Sequence, residues 1–391
     1  MKPVLDQNLS IYLHIPFCTT KCTYCSFNTY VNIEALIPNF VEALIQEIKI
    51  IGASNIYHTV HTIYFGGGTP SLLTIDQFDA ILAAITQSFS VLNEAEISIE
   101  ANPNDLSVNY LKELRRLGIN RLSIGMQSAI DQELNLFARR HDNQTVVTAV
   151  QQARDAGFNN INLDLIYGFP YQTLTTWEKS LEQVLSFSPE HISLYALGLE
   201  EGTPLKSWVE KGKLPLPDDD LAADMYEFAT EVLRQTYLQY EISNWAKSGF
   251  ECLHNLQYWR NAPYIGLGPG AHGYANGIRY STILSPQQYI QLLKNANEPK
   301  LQFPITPAVH DYTLVDQSTE IAETLITNLR LLHEGVHLSD FEHRFGVSLM
   351  QLHGNLLKKF EKQGLLQITK DRVLLTEQGR LLSNVIFREL V

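Results

Sequence analysis

Three of the chain's four cysteines fall within eight positions, in the run Cys18-Thr19-Thr20-Lys21-Cys22-Thr23-Tyr24-Cys25. The spacing, C-x3-C-x2-C, is that of an iron-sulfur ligand loop. Four thiolates would close a 4Fe-4S cluster, whereas three leave one iron with an open position where a small chelating molecule can bind and react. A secreted disulfide framework uses cysteines in pairs behind an apolar leader, and this odd cluster follows neither rule. A structural zinc ion calls for a fourth Cys or His. The nearest candidate, His14, belongs to the preceding strand pattern rather than to the loop.

The elements that must position this loop read as an α/β chain. Short β-branched and aromatic runs at 11–15, 62–65, 97–100, 121–124, 161–166 and 191–195 alternate with amphipathic helical patterns at 33–51, 75–89, 107–117, 143–156 and 175–187. Six such units predict a parallel sheet curled into a partial barrel. Asn143 is the expected N-cap of its helix, and Gly118 and Gly157 are the expected stops. In α/β barrels chemistry gathers at the C-terminal strand ends, so the residues just after each run are the ones to inspect.

There the chain places Gly66-Gly67-Gly68-Thr69-Pro70, then Glu100-Ala101-Asn102-Pro103, Gly125-Met126-Gln127-Ser128 and Asp164-Leu165-Ile166-Tyr167-Gly168. Glycines let a ligand approach the backbone closely. An acidic or amide side chain at a barrel mouth suits ribose hydroxyls, and an Asp inside an apolar strand needs a partner. Taken with the cysteine loop, these runs resemble the radical S-adenosylmethionine (SAM) superfamily, with its GGTP, ExNP, GxQS and DLIYGxP elements. The resemblance implies a partial (β/α)6 radical-SAM barrel. Cys18, Cys22 and Cys25 would hold a 4Fe-4S cluster, and Tyr12, Tyr24, Gly67, Gly68, Thr69, Glu100, Gln127, Arg139 and Asp164 would contact SAM. Arg139 belongs to Ala138-Arg139-Arg140-His141, which is similar to a GRxH element but departs from it at Ala138. Its planar guanidinium suits the SAM carboxylate.

The second half carries Cys252-Leu253-His254-Asn255-Leu256-Gln257-Tyr258-Trp259, followed by the glycine-rich run Gly266-Leu267-Gly268-Pro269-Gly270. A neutral imidazole can ligate haem iron, and Tyr and Trp offer flat apolar faces to a macrocycle; a buried structural histidine fits the same residues. The HNxxYW pattern resembles the haem chaperones of the HemW type, relatives of the oxygen-independent coproporphyrinogen III oxidases. That resemblance makes His254, Asn255, Tyr258 and Trp259 haem-binding, with haem as cargo for acceptor haemoproteins. The alternative is the oxidase activity itself. In the oxidases another cysteine follows the loop where this chain has Phe27, and a long arm precedes it where 17 residues stand here. Both departures favour the chaperone. Cys252, with no adjacent basic residue, is expected to be inert core.

Composition bounds the partners. Hydrophobic residues make up 45% with no run as long as a membrane span, which predicts a cytoplasmic protein. Lys plus Arg number 29 against 42 Asp plus Glu, and a net charge of −13 argues against nucleic acid. Homodimer formation and transient membrane association are both compatible with it. Residues 1–245 are expected to form the barrel, 246–305 a connector carrying HNxxYW and the glycine-rich run, and 306–391 a mostly helical, winged-helix-like tail with a single final helix over 377–390. From 321 onward that tail has nine Lys plus Arg and eight Asp plus Glu, too balanced for a phosphate-binding surface. The resemblance implies that it closes over the barrel mouth.

Overall fold

A computed structural model describes residues 8–54, 59–294, 296 and 302–390. Six parallel strands form its centre: β1 (Asn8–Ile15), β2 (Thr59–Gly67), β3 (Val91–Ala101), β4 (Arg121–Gln127), β5 (Ile161–Tyr167) and β6 (His191–Ala196). Helices Ile37–Ser54, Ile75–Ser88, Val108–Arg116, Asn143–Asp155 and Leu174–Ser186 are the crossovers. Four of these starts are set by side-chain caps, Thr74, Ser107, Asp142 and Thr173. Asp142 rather than Asn143 caps the fourth of these, because its carboxylate accepts the Thr145 N–H at 2.8 Å and an anion is favoured there. Gly118 and Gly157 end their helices with φ of +93° and +88°.

Alternation along the strands separates two environments. Ile11, Leu13, Ile63, Phe65, Ile99, Leu122, Ile124, Leu163, Leu165, Ile192 and Leu194 join the core beneath the helices. The intervening positions are polar: Ser10, Tyr12, Thr62, Tyr64, Ser98, Glu100, Arg121, Ser123, Asn162, Asp164 and Ser193 stand in register across neighbouring strands and line the concave side.

The sheet continues past these six. At the β6 edge come β7 (Leu238–Glu241) and β8 (Asn244–Ala246), and at the β1 edge β9 (Tyr264–Leu267), β10 (His272–Ala275), β11 (Ile278–Thr282) and β12 (Val309–Leu314). The β9 strand pairs with β1 in parallel. Thus one sheet runs across both expected domain boundaries, and the glycine-rich run lies at the β9 strand end beside the cysteine loop.

Residues from Gln317 onward build the tail around a separate core that includes Leu325, Phe341, Leu357, Phe360 and Val373. Its helices are Gln317–Asn328, Leu338–Phe345 and Leu349–Lys362, followed by a wing in which β15 (Arg372–Leu375) pairs with β14 (Leu366–Ile368) and with β13 (Val336–His337). The expected final helix is two, Glu377–Leu381 and Ser383–Leu390. Gly379 and Ser383 are weak helix formers in so short a segment. Among the described residues no helix is long and apolar enough to cross a membrane.

Candidate functional site

The C-terminal ends of the central strands open onto a cavity of about 420 Å³. Cys18, Cys22, Cys25, Tyr24, Gly67, Gly68, Thr69, Glu100, Gln127, Arg139, Asp164 and Asn255 all line it. The structure therefore brings together twelve of the sixteen residues singled out in the sequence. Tyr12, His254, Tyr258 and Trp259 lie outside the lining.

The cysteine loop is closed at its base by hydrogen bonds from Cys18 N to Tyr30 O (2.9 Å) and from Tyr30 N to Pro16 O (2.8 Å). Its far side is tied down through Thr23, whose N–H and hydroxyl donate to Phe137 O and Leu136 O. Tyr24 packs edge-on against Phe137 with ring centroids 4.9 Å apart. All four cysteines are free thiols. Burial raises the Cys18 and Cys25 thiols above the ordinary value, so a metal, rather than the surroundings, has to displace their protons. Among the described residues no three His, Cys, Asp or Glu side chains converge on a single-ion site. In an iron-sulfur cluster each thiolate binds a different iron, so three thiols spread around one cavity suit that chemistry.

Two further features fit a cluster with a chelated amino acid. A Cβ on Gly68 would lie 2.7 Å from Ile15 O and 3.1 Å from Cys18 Sγ, so only glycine permits the backbone to pass beside that thiol. The Arg139 guanidinium donates to Gly125 O at 2.8 Å and reaches Cys22 Sγ at 3.5 Å, while its Nε is buried without a partner among the described residues. Burial works against its charge, but Tyr24 and Cys22 beside it hold the arginine protonated. It is a ready carboxylate ligand. The backbone supports it at a cost, for Ala138 adopts φ +55° and Gln127 φ +67°, left-handed values that favour glycine. The departure from the GRxH pattern thus leaves Arg139 in the cavity with a locally strained residue before it.

Two carboxylates form the cavity's polar wall. Glu100 accepts from Tyr64 OH and Gly67 N–H, each at 3.0 Å. Burial first, and the Asp164 charge second, push its pKa up to about 7. Asp164 accepts from Ser123 at 3.0 Å and from Asn162 at 2.8 Å, and burial raises it as well. Tyr64, Ser123, Asn162 and Ser193 were not singled out in the sequence although they line the cavity. Their signal was the polar alternation within otherwise apolar strands.

Helix Leu253–Trp259 closes the underside. Glu96 accepts the Leu253 and His254 N–H groups at 3.0 and 3.1 Å, stabilising the helix start. The His254 ring is 1% exposed, stacks on Tyr64 at 5.0 Å, and has both nitrogens engaged: Nδ1 with Thr62 Oγ1 and Nε2 with Tyr258 OH, each at 2.8 Å. Burial, reinforced by His61 and Arg121, lowers its pKa to about 3, so the imidazole is neutral. Trp259 faces the tail, where the Arg330 guanidinium lies 4.2 Å over its ring. Cys252 is fully buried and burial raises its thiol to about 12, as an inert core residue requires.

Residues 12–184 match the radical SAM superfamily and residues 315–382 the HemN C-terminal domain. The chain is 38% identical to the heme chaperone HemW of Bacillus subtilis over 380 residues, 97% of this chain and 98% of that protein. The chain belongs to the HemW family of the radical SAM superfamily. The HemW protein of Lactococcus lactis is 34% identical over 99% of this chain and 98% of its own length. The structure of the Escherichia coli radical SAM enzyme coproporphyrinogen III oxidase (HemN) superposes with a TM-score of 0.82 over 98% of this chain and 90% of that one. At 24% identity this is a likeness of fold.

Proposed function

We propose that this HemW family member binds haem as cargo and passes it to acceptor haemoproteins, carrying a 4Fe-4S cluster on Cys18, Cys22 and Cys25 and SAM in the cavity above it. The single observation that carries the reading is the convergence of three free thiols, the Gly67-Gly68 backbone and Arg139 on one cavity, in a chain with near full-length similarity to heme chaperones. When bound, the cluster and SAM supply a redox centre with a chelated iron corner.

The chain's own residues do the positioning. Arg139 offers its unpartnered Nε to a carboxylate, the Gly67 and Gly68 backbone leaves room for an amino group, and Glu100 and Asp164 present acceptors to hydroxyls. Asn255 is the one residue of the HNxxYW set that lines the cavity. His254 meets a haem iron only by giving up one of its two ring bonds, to Thr62 Oγ1 or to Tyr258 OH, so this reading couples haem ligation to a rearrangement of this buried contact, with Trp259 held by the tail. Phe27, 65% exposed on the cavity lining, offers a ring rather than another sulfur. That favours a haem carrier over the oxidase.

Haem titration of the reconstituted protein, followed by transfer to an apo-haemoprotein, tests the proposal. Stoichiometric binding and transfer are expected. Formation of protoporphyrinogen from coproporphyrinogen III would instead establish the oxidase reading.

A further inference from the structure

The glycine-rich run after HNxxYW has the composition of a ligand loop, yet the structure uses it differently. Gly268 and Gly270 adopt φ of +92° and +87°, and each is packed against the segment that carries the cluster ligands. A Cβ on Gly268 would lie 2.4 Å from His14 O, and one on Gly270 would lie 2.4 Å from Asn28 Nδ2. Asn28 stands three residues after Cys25 and next to Thr29, whose buried hydroxyl has no hydrogen-bond partner among the described residues and lines the same cavity as the three thiols.

Asn28 is held from two directions, its side-chain NH₂ by the glycine run and the residues after β11, its backbone carbonyl by β1. Its Nδ2 donates to Pro269 O and to Leu284 O, both at 2.9 Å, and its backbone carbonyl accepts from His14 Nε2 at 3.0 Å. Tyr30 OH donates to the same Leu284 carbonyl at 3.1 Å. Behind the glycine run stands Glu47, fully buried on helix Ile37–Ser54. It accepts the Gly268 N–H at 2.9 Å and is fixed by Tyr289 OH at 2.6 Å and Thr306 Oγ1 at 2.7 Å. A buried carboxylate saturated by donors in this way is a rigid anchor. The cysteine loop is therefore held on two sides, at Thr23 by the barrel and at Asn28 by a loop more than two hundred residues away in sequence, the Asn28 to Pro269 bond spanning 241 positions.

We propose that Asn28 is a positioning residue for the cluster: it locks the Cys25 end of the loop, with Thr29, onto the Gly266–Gly270 run anchored by Glu47. The placement of the Cys25 sulfur and of the unpartnered Thr29 hydroxyl in the same cavity follows from that lock, and the donors and solvent exposure around the sulfurs help set a cluster's redox potential. The inference rests on the reading of the three cysteines as cluster ligands, but the mechanical part can be tested without any iron.

Asn28→Asp keeps the side-chain shape while replacing two donated hydrogens by lone pairs facing two carbonyl oxygens. Gly270→Ala pushes on Asn28 from the other side. In apo protein, both variants should let iodoacetamide alkylate Cys25 roughly tenfold faster than wild type, as expected when two hydrogen bonds holding the loop are lost. After anaerobic reconstitution both should retain wild-type iron content but show a shifted midpoint potential and an altered SAM-induced EPR change. Unchanged alkylation together with unchanged potential and EPR response overturns the proposal, and so does a loss of thermal stability with all three unmoved. If wild-type protein takes up no iron, the cluster reading fails while the alkylation rates still decide the role of Asn28.

Discussion

Glu100 gives the most quantitative handle on the cavity. Its pKa in the folded chain is about 7 against an ordinary 4.5, raised by burial and by Asp164. Between those values the folded chain holds a proton that the unfolded chain has released. Stability must therefore fall as pH rises through that window, and the loss is complete above about 7. The shift corresponds to on the order of 3 kcal/mol at most, shared with Asp164 because the two carboxylates repel one another. Glu100→Gln removes the titration at little structural cost. Its amide oxygen can keep the Gly67 N–H, and its NH₂ can donate to Tyr64 OH, which turns to accept. Apo variant and wild type should have similar melting temperatures near pH 4.5, and the variant should be more stable by about 1–3 kcal/mol at pH 8. Thermal and urea unfolding of apo protein across pH 4.5–8 measures this. Parallel pH profiles for the two proteins would refute the assignment of a buried, repelled carboxylate at this wall.

Further outcomes follow from individual contacts. Arg139→Met should weaken SAM binding to reconstituted protein by roughly 10–100-fold, the worth of a charge-assisted hydrogen bond, with iron content retained; calorimetric titration giving wild-type affinity would remove Arg139 from the SAM site. Ala138→Gly relaxes the left-handed φ of +55° and should leave stability unchanged or raise it by up to about 1 kcal/mol in urea unfolding. Arg330→Met strips the ion-pair partner from Glu241, whose side chain is 0% exposed and keeps only its bonds from Ser243 N–H and Asn244 Nδ2, and uncovers Trp259; a loss of about 3 kcal/mol is expected by the same assay. His254→Ala should reduce haem loading while cluster absorbance persists, and equal haem uptake would assign His254 to the floor of the cavity alone.

The six central strands were legible because one row of each is apolar and backed by an amphipathic helix. The cysteine loop and most of the cavity residues were legible because they fall directly after those strands. What the sequence hid was non-local. Strands β9 to β12 are short, and β9 finds its place only by pairing with β1 near the other end of the chain. The polar concave rows of β2 to β6 looked like interruptions in apolar runs until their register put Tyr64, Ser98 and Arg121 side by side. Ligand and structural histidine both stayed open for His254 because its partners stand far off in sequence, Thr62 at 192 positions and Glu96 at 158. The partner of the glycine-rich run was equally hidden: its close backbone approach is to His14 and Asn28, on either side of the cysteine loop.

The most direct measurement is iron and sulfide analysis with EPR of anaerobically reconstituted protein, before and after SAM is added. About four irons per chain, a cubane-type signal that SAM perturbs, and loss of both in Cys22→Ala are the predicted results. Protein that stays colourless and iron-free, or a signal indifferent to SAM, would contradict the account at its root.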